Sequence, residues 1–171
     1  METAEQLDRT PRVLVVQPDP RYLAVLARRI GEYGFRAAIA ESLSSALAEL
    51  HRSPVDLVLA ELKAPGFNGR ELVAMMREDA IFRHIPILLF TGGSDHEEAA
   101  AALRSGADGV VKKPFVFEVL CARIAREVER KRAIDELQAD NRTLDARVIE
   151  RAMQIGELRE QLAEERAKRV S

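Results

Sequence analysis

The sequence predicts an α/β fold with a doubly wound, five-stranded parallel sheet whose last helix is extended far beyond the sheet. Short apolar runs alternate with helical patterns over residues 12–128, and polar side chains stand directly after several of these runs. No glycine occurs between Phe115 and Gly156, which indicates one continuous helix. We therefore divide the chain into an N-terminal tail (1–11), a globular domain (12–128) and a C-terminal helix (129–171).

Five apolar runs are the predicted strands. They are bounded by proline, glycine or polar residues and comprise Val13–Val16, Ala37–Ala40, Val55–Ala60, Ile85–Phe90 and Gly109–Val111. A strand covered by helices on both sides of a sheet has no exposed face, so apolar residues need not alternate with polar ones. The runs fit one parallel sheet.

Helical patterns separate the predicted strands. The first places Leu23, Leu26, Ala27 and Ile30 on one face and ends at Gly34. Residues able to cap a helix precede the next three, at Ser42, Asn68 and Ser94–Asp95. Right-handed crossovers through such helices place them on both faces of the sheet.

Composition restricts the function classes. The net charge of −2 gives no electrostatic reason to expect nucleic acid as a partner. The lone cysteine, Cys121, excludes an internal disulfide and fits a reducing compartment. No apolar run approaches the roughly 18 residues that a membrane span needs, and the acidic N-terminus is unlike a signal peptide. We expect a cytoplasmic protein without membrane insertion.

The C-terminal helix carries a heptad pattern. Position a holds Ile134, Asn141, Val148, Ile155 and Leu162, and position d holds Leu137, Leu144 and Leu158. Branched residues at a with leucine at d favour a parallel two-stranded coiled coil, and a lone asparagine at a fixes its register. We expect a homodimer through this seam. Arg151, Glu165 and Arg169 interrupt it, and Asp140 and Asp145 would repel across a parallel pair. The alternative is one amphipathic helix folded back on its own domain.

Polar residues end four of the apolar runs. Gln17-Pro18-Asp19 follows the first, Glu61 the third, Thr91 the fourth, and Lys113-Pro114 the fifth. In order and spacing, these runs and their polar ends resemble the receiver domain of bacterial two-component response regulators. The resemblance covers about residues 12–128 and implies the receiver, or flavodoxin-like, strand order 2-1-3-4-5. In such sheets ligands bind at the carboxyl ends of the strands, where these residues fall.

The resemblance also implies roles for these residues. In receivers, the positions of Pro18 and Glu61 carry aspartates that hold Mg²⁺ and accept phosphate. Lys113 matches the lysine that contacts the phosphate, Thr91 matches the hydroxyl residue that tracks phosphorylation, and the bond before Pro114 is usually cis. Here Gln17 offers one neutral amide oxygen and Pro18 no side-chain ligand, whereas Mg²⁺ prefers hard oxygen ligands in octahedral geometry. We expect Mg²⁺ binding to be weak or absent and no other cofactor.

Glu61 keeps a carboxylate at the acceptor position but extends it by one methylene. We expect it to reach across the pocket to Lys113. The pair is then either a mimic of the phosphorylated state or a neutral remnant, and the sequence leaves both open. Asp56 lies at the opposite end of its strand and is interpreted as a cap. We interpret His51, His84 and His96 as surface residues and Cys121 as a small apolar core residue.

The sequence therefore predicts a pseudo-receiver: a non-enzymatic signalling module that binds an unidentified signalling protein and dimerises through the coiled coil, without aspartyl phosphorylation. The face formed by the fourth helix, the fifth strand and the fifth helix is the expected contact surface. One alternative is a receiver still phosphorylated on Glu61 or Asp19. Another is the regulatory part of a larger enzyme, either a cyclic-di-GMP enzyme or a kinase.

Overall fold

The computed structural model describes residues 10–170, so most of the predicted N-terminal tail lies outside the described residues. The main sheet contains β1 (Arg12–Val16), β2 (Arg36–Ala40), β3 (Leu57–Glu61), β6 (Ile87–Thr91) and β7 (Gly109–Lys112). All pairings are parallel, in the order β2-β1-β3-β6-β7. With the five predicted strands numbered along the chain, this is the order 2-1-3-4-5. The predicted fold class is confirmed.

Within residues 10–170, five helices accompany the strands. They are α1 (Pro20–Glu32), α2 (Leu43–Arg52), α3 (Gly69–Glu78), α4 (His96–Arg104) and α5 (Phe117–Val170). Ser42 and Asn68 cap α2 and α3 through their side chains, as predicted. Asp95 occupies the corresponding position before α4, but its side chain makes no capping hydrogen bond.

Alternate residues of β1, β3 and β6 pack into two separate cores, which explains the continuous apolar runs of these three strands. Val13, Val15, Leu57 and Leu59 face α1 and the first turns of α5, where they meet Leu23, Leu26, Ile30, Leu120, Ile124 and Val128. The other face of the sheet packs on α2, α3 and α4 through Ala46, Leu50, Leu72, Val73, Met76 and Ala102. Burying apolar side chains on both faces fixes the register of these three strands.

Two strands begin two residues later than predicted. The strand predicted over Val55–Ala60 begins at Leu57, because the carboxylate of Asp56 accepts the backbone N–H of Arg12 at 2.8 Å. This is the predicted capping role for Asp56. The predicted run Ile85–Phe90 begins at Ile87 because Pro86 has no N–H for a ladder bond. Both shifts leave the polar strand ends in place.

A small antiparallel pair was not predicted. β4 (Lys63–Ala64) pairs with β5 (Phe67–Asn68) around the turn Pro65–Gly66, where Gly66 has φ of 73°. The turn and the cap at Asn68 were predicted, but the intervening pairs are too short for an alternating pattern. This hairpin forms one wall of the pocket described below.

The chain consists of two compact units, one ending at Lys131 and the other beginning at Arg132. The last residue of α5 that is buried in the core is Val128. In the second unit, every described residue from 139 onward is exposed. Within residues 10–170, no helix combines the length and the apolar character that crossing a membrane requires.

Candidate functional site

The carboxyl ends of four parallel strands meet at one edge of the sheet. Gln17 follows β1, Glu61 ends β3, Thr91 ends β6, and Lys113 follows β7. Backbone bonds hold these ends together, because Leu62 donates to the carbonyl of Phe90 and Lys113 donates to that of Thr91, each at 2.8 Å. The sheet therefore brings the predicted residues to one edge, as expected for this fold.

The centre of the site is a buried carboxylate with both oxygens occupied. Lys113 Nζ lies 2.6 Å from Glu61 Oε1, and Gln17 Nε2 donates to Glu61 Oε2 at 2.8 Å. Glu61 is only 5% exposed and Gln17 only 4%. The expected pairing of Glu61 with Lys113 is present. Burying a charged carboxylate costs free energy, and the ammonium group of Lys113 and the amide of Gln17 offset this cost by donating hydrogen bonds to it.

Gln17 and Asp19 are committed to bonds within the loop. Gln17 Oε1 accepts the backbone N–H of Asp19 at 3.1 Å. The Asp19 carboxylate caps α1 by accepting the N–H groups of Arg21 and Tyr22, at 2.9 Å and 3.3 Å. Pro18, between them, contributes no polar side-chain atom. Gln17 and Asp19, the polar side chains of this loop, are therefore hydrogen-bonded to the backbone or to Glu61.

These donors do not fit the magnesium site that receivers carry. Gln17 turns its amide nitrogen toward Glu61 and its oxygen toward the backbone, while Asp19 is turned toward the helix N-terminus. Among residues 10–170, no three His, Cys, Asp or Glu side chains are grouped as metal ligands. Mg²⁺ needs several hard oxygen ligands. Of the two carboxylates that line the pocket in the described part of the chain, Glu61 is paired with Lys113 and Asp19 caps α1.

The pocket itself is open and has a volume of about 550 Å³. Besides the predicted residues Gln17, Pro18, Asp19, Glu61 and Lys113, it is lined by Tyr22, Lys63, Ala64 and Pro65. Lys113 Nζ lies 5.6 Å from the centre of the Tyr22 ring. Burial, and then the neighbouring Glu61 carboxylate, raise the pKa of Tyr22 above its ordinary value. Tyr22 was not predicted as a site residue, although its place in the first turn of α1, directly after the loop of Gln17 to Asp19, indicated that it could line the pocket.

Thr91 is the predicted site residue that does not line this pocket. It is 8% exposed, and within the described part of the chain its Oγ1 has no hydrogen-bond partner. Thr91 instead lines a smaller cavity of about 180 Å³ together with Gly93, Asp95, His96, Ala99, Val110 and Lys112. The ion pair of Glu61 and Lys113 is thus formed without the Thr91 hydroxyl.

The remaining predictions for individual residues are also answered. The bond between Lys113 and Pro114 is cis. His51, His84 and His96 are exposed and Cys121 is buried. The arrangement holds an ion pair without net charge, in which each Glu61 oxygen accepts one hydrogen bond.

Comparisons with known proteins agree with this fold. The chain is 28% identical over 148 residues to a probable cyclic di-GMP phosphodiesterase from Vibrio cholerae, covering 86% of this chain and 33% of that protein. It is 34% identical over 119 residues to the DNA-binding response regulator MtrA of Mycolicibacterium smegmatis, covering 70% and 51%. The chain thus spans from one third to about half the length of these curated relatives.

The fold likeness extends to solved structures. A response regulator receiver domain protein from Clostridium thermocellum superposes with a TM-score of 0.67 at 21% identity, covering 72% of this chain and 98% of that one. At this identity the likeness concerns the fold alone. Residues 13–125 match the sequence model of the response regulator receiver domain. This match covers more than half of the chain, and the chain belongs to the response regulator receiver family.

Proposed function

We propose that this receiver is a pseudo-receiver, a signalling module that acts through protein contacts without accepting phosphate and without catalytic activity of its own. The observation that carries the proposal is the Glu61 carboxylate, whose two oxygens bond to Lys113 and Gln17. Attack on a phosphodonor would have to come from an oxygen that already accepts a hydrogen bond, on a carboxylate held in place by two donors. Pro18 adds no ligand for a metal that could neutralise the incoming phosphoryl oxygens.

Magnesium binding is expected to be weak or absent for the same reason. In phosphoryl transfer the metal and the cation share the task of balancing negative charge. Here Lys113 is already balanced by Glu61, and Gln17 presents an N–H group rather than an oxygen to the pocket.

The ion pair supports a neutral remnant over a mimic of the phosphorylated state. A phosphoryl group carries nearly two negative charges and three acceptor oxygens. Glu61 carries one charge, which Lys113 matches, and its oxygens are satisfied without Thr91. The pocket is therefore proposed to stay in one state, with signals passing through the surface of the domain.

The contact surface proposed for an unidentified signalling protein is formed by α4, β7 and the start of α5. Leu103, Val116 and Val119 expose between 47% and 67% of their surface there. Arg123, on the same helix as Val119, donates to the carbonyl of Val110 and ties α5 to β7. Exposed apolar side chains beside a rigid edge are typical of a protein contact site.

The C-terminal helix is proposed to form a two-stranded coiled coil with a second copy of the chain. Ile134, Leu137, Leu144, Val148, Ile155, Leu158 and Leu162 are between 41% and 66% exposed. Such a stripe is expected to be covered by another helix. The apolar residue types at a and d support a parallel pair, whereas Asn141 and Arg151, the polar seam residues between Ile134 and Leu158, support an antiparallel one.

A second candidate is a regulatory part of a larger signalling enzyme. The similarity to a probable cyclic di-GMP phosphodiesterase, of which the chain covers 33%, favours it. In that case the pocket and the seam keep the roles proposed here, and the enzyme activity belongs to another part of the protein.

The deciding experiment is intact-mass measurement after incubation with Mg²⁺ and acetyl phosphate. The natural protein is compared with the double variant Pro18→Asp, Glu61→Asp and with a triple variant that adds Gln17→Asp, because Gln17 bonds to residue 61. We expect no phosphate on the natural protein and one phosphoryl group on the triple variant. Phosphate on the natural protein would overturn the proposal. If no variant gains phosphate, the three replacements are not what disables the pocket.

A further inference from the structure

Between Ile134 and Leu158 the seam of α5 contains two polar residues, and their positions constrain how a second helix can cover it. Asn141 occupies position a and Arg151 occupies position d, between apolar residues from Ile134 to Leu158. All described residues from 141 to 158 are exposed in the isolated chain. A buried amide or guanidinium needs a partner, so the favoured arrangement is the one that supplies partners to both.

In a parallel pair each residue of the seam faces its own copy. Asn141 then faces asparagine, which is tolerated and fixes the register. Arg151, however, faces a second Arg151, so two guanidinium groups would share one layer of the interface. Like charges repel, and neither arginine gains an acceptor. The parallel arrangement therefore leaves one layer of the seam unsatisfied.

Reversing one helix changes the pairing, because position a of one strand then faces position d of the other. In one register the two polar residues meet, with Asn141 of each copy against Arg151 of the other. The same register pairs Ile134 with Leu158, Leu137 with Ile155, and Leu144 with Val148. Each apolar residue from 134 to 158 then faces an apolar one, and the Asn141 oxygen can accept from the guanidinium.

Neighbouring antiparallel registers lose this match. A shift of one heptad places Asn141 against Leu158 or Leu144, and Arg151 against Val148 or Ile134. The flanking charges do not separate the two orientations. A parallel pair brings Asp140 of each copy near Asp145 of the other, and the antiparallel pair brings Asp145 and Arg147 each near its own copy. In the antiparallel register Leu162 lies beyond the matched segment. Among the polar and charged residues, the polar layers are thus the feature that discriminates between the two orientations.

We infer that α5 binds a second copy of this chain in the antiparallel orientation, with Asn141 of each copy bonded to Arg151 of the other. The inference rests on the coiled-coil dimer proposed above and reverses the orientation that the a and d residue types alone favour. Asn141 and Arg151 are then specificity residues, because they set both the orientation and the register of the dimer.

Disulfide mapping tests the orientation directly. In a Cys121→Ala background, which removes the only native cysteine, the single variant Ile134→Cys is compared with the double variant Ile134→Cys, Leu158→Cys. In the antiparallel dimer, two copies of position 134 are about 36 Å apart along the axis, at about 1.5 Å per residue. The single variant then stays unlinked under mild oxidation, and the double variant links position 134 of one copy to position 158 of the other.

A charge substitution gives an independent readout by sedimentation. Asn141→Glu places a carboxylate against Arg151 in the antiparallel dimer and against another glutamate in a parallel one. We expect the dimer dissociation constant to fall about tenfold or more, which is about 1.4 kcal/mol. Ala139→Glu adds the same charge outside the seam and leaves the constant unchanged. Self-linkage of the Ile134→Cys variant, or weakening by Asn141→Glu, overturns the inference. A natural protein that stays monomeric overturns the dimer itself.

Discussion

Replacing Lys113 by methionine tests whether the ion pair holds the pocket together. Lys113→Met keeps the length of the side chain but leaves the Glu61 carboxylate, 6% exposed in its side chain, with Gln17 as its remaining donor. Breaking a fully buried pair costs about 3–5 kcal/mol, and an exposed pair is worth about 0–1 kcal/mol. The Lys113 side chain is 31% exposed, so we expect a loss of about 2 kcal/mol in the free energy of unfolding.

Thermal and urea unfolding measure this loss. At about 4 °C per kcal/mol for a domain of this size, the melting temperature should fall by about 8 °C. Lys112→Met is the matched control, because Lys112 is adjacent and its side chain is exposed. The double variant Glu61→Gln, Lys113→Met should recover most of the loss, since it leaves no buried carboxylate and the new amide oxygen can still accept from Gln17. Equal melting temperatures for Lys113→Met and Lys112→Met would refute the reasoning, as would a double variant that is no better than the single one.

Two further pairs of variants test local features. Asp19→Ala removes the capping acceptor of α1 and should cost about 1 kcal/mol of unfolding free energy. Asp95→Ala, at a helix start without a side-chain cap, should cost little. Equal losses of unfolding free energy in urea titration would contradict the assigned cap. Gly69→Ala should destabilise the domain strongly, because a Cβ there would lie 2.3 Å from the backbone oxygen of Glu61. Gly156→Ala, with open space around it, should instead raise the helix content and stability of α5 by up to about 1 kcal/mol, and a loss of helix by circular dichroism would count against this.

The strands and the edge of the sheet that holds the site were predictable because each depends on local pattern. Continuous apolar runs such as Leu57–Ala60 mark buried strands, and the polar residue after each run is carried to the same edge by the topology. The pairing of Glu61 with Lys113 followed from charge and reach. These features need no knowledge of the packing around them.

Other features of the site depend on side-chain direction, which the sequence does not encode locally. Gln17 could have turned either its oxygen or its nitrogen toward the pocket, and the structure turns the nitrogen toward Glu61. Thr91 stands at the predicted strand end, yet it lines a different cavity. The hairpin at Lys63–Asn68 escaped prediction because two-residue strands have no period. Each of these outcomes is set by neighbours that are distant in the chain.

The replacements at positions 17, 18 and 61 make most sense taken together. In the family pattern, acids at the positions of Pro18 and Glu61 face one lysine, and the excess negative charge calls for a metal ion. Here Pro18 removes one charge, Gln17 supplies an uncharged donor, and the longer Glu61 reaches Lys113 at 2.6 Å. The buried groups then sum to zero charge with every Glu61 oxygen bonded, so the pocket needs no cation to be stable. Restoring a single acid would reintroduce an unbalanced charge, which is why we expect phosphorylation to return only when several positions are changed at once.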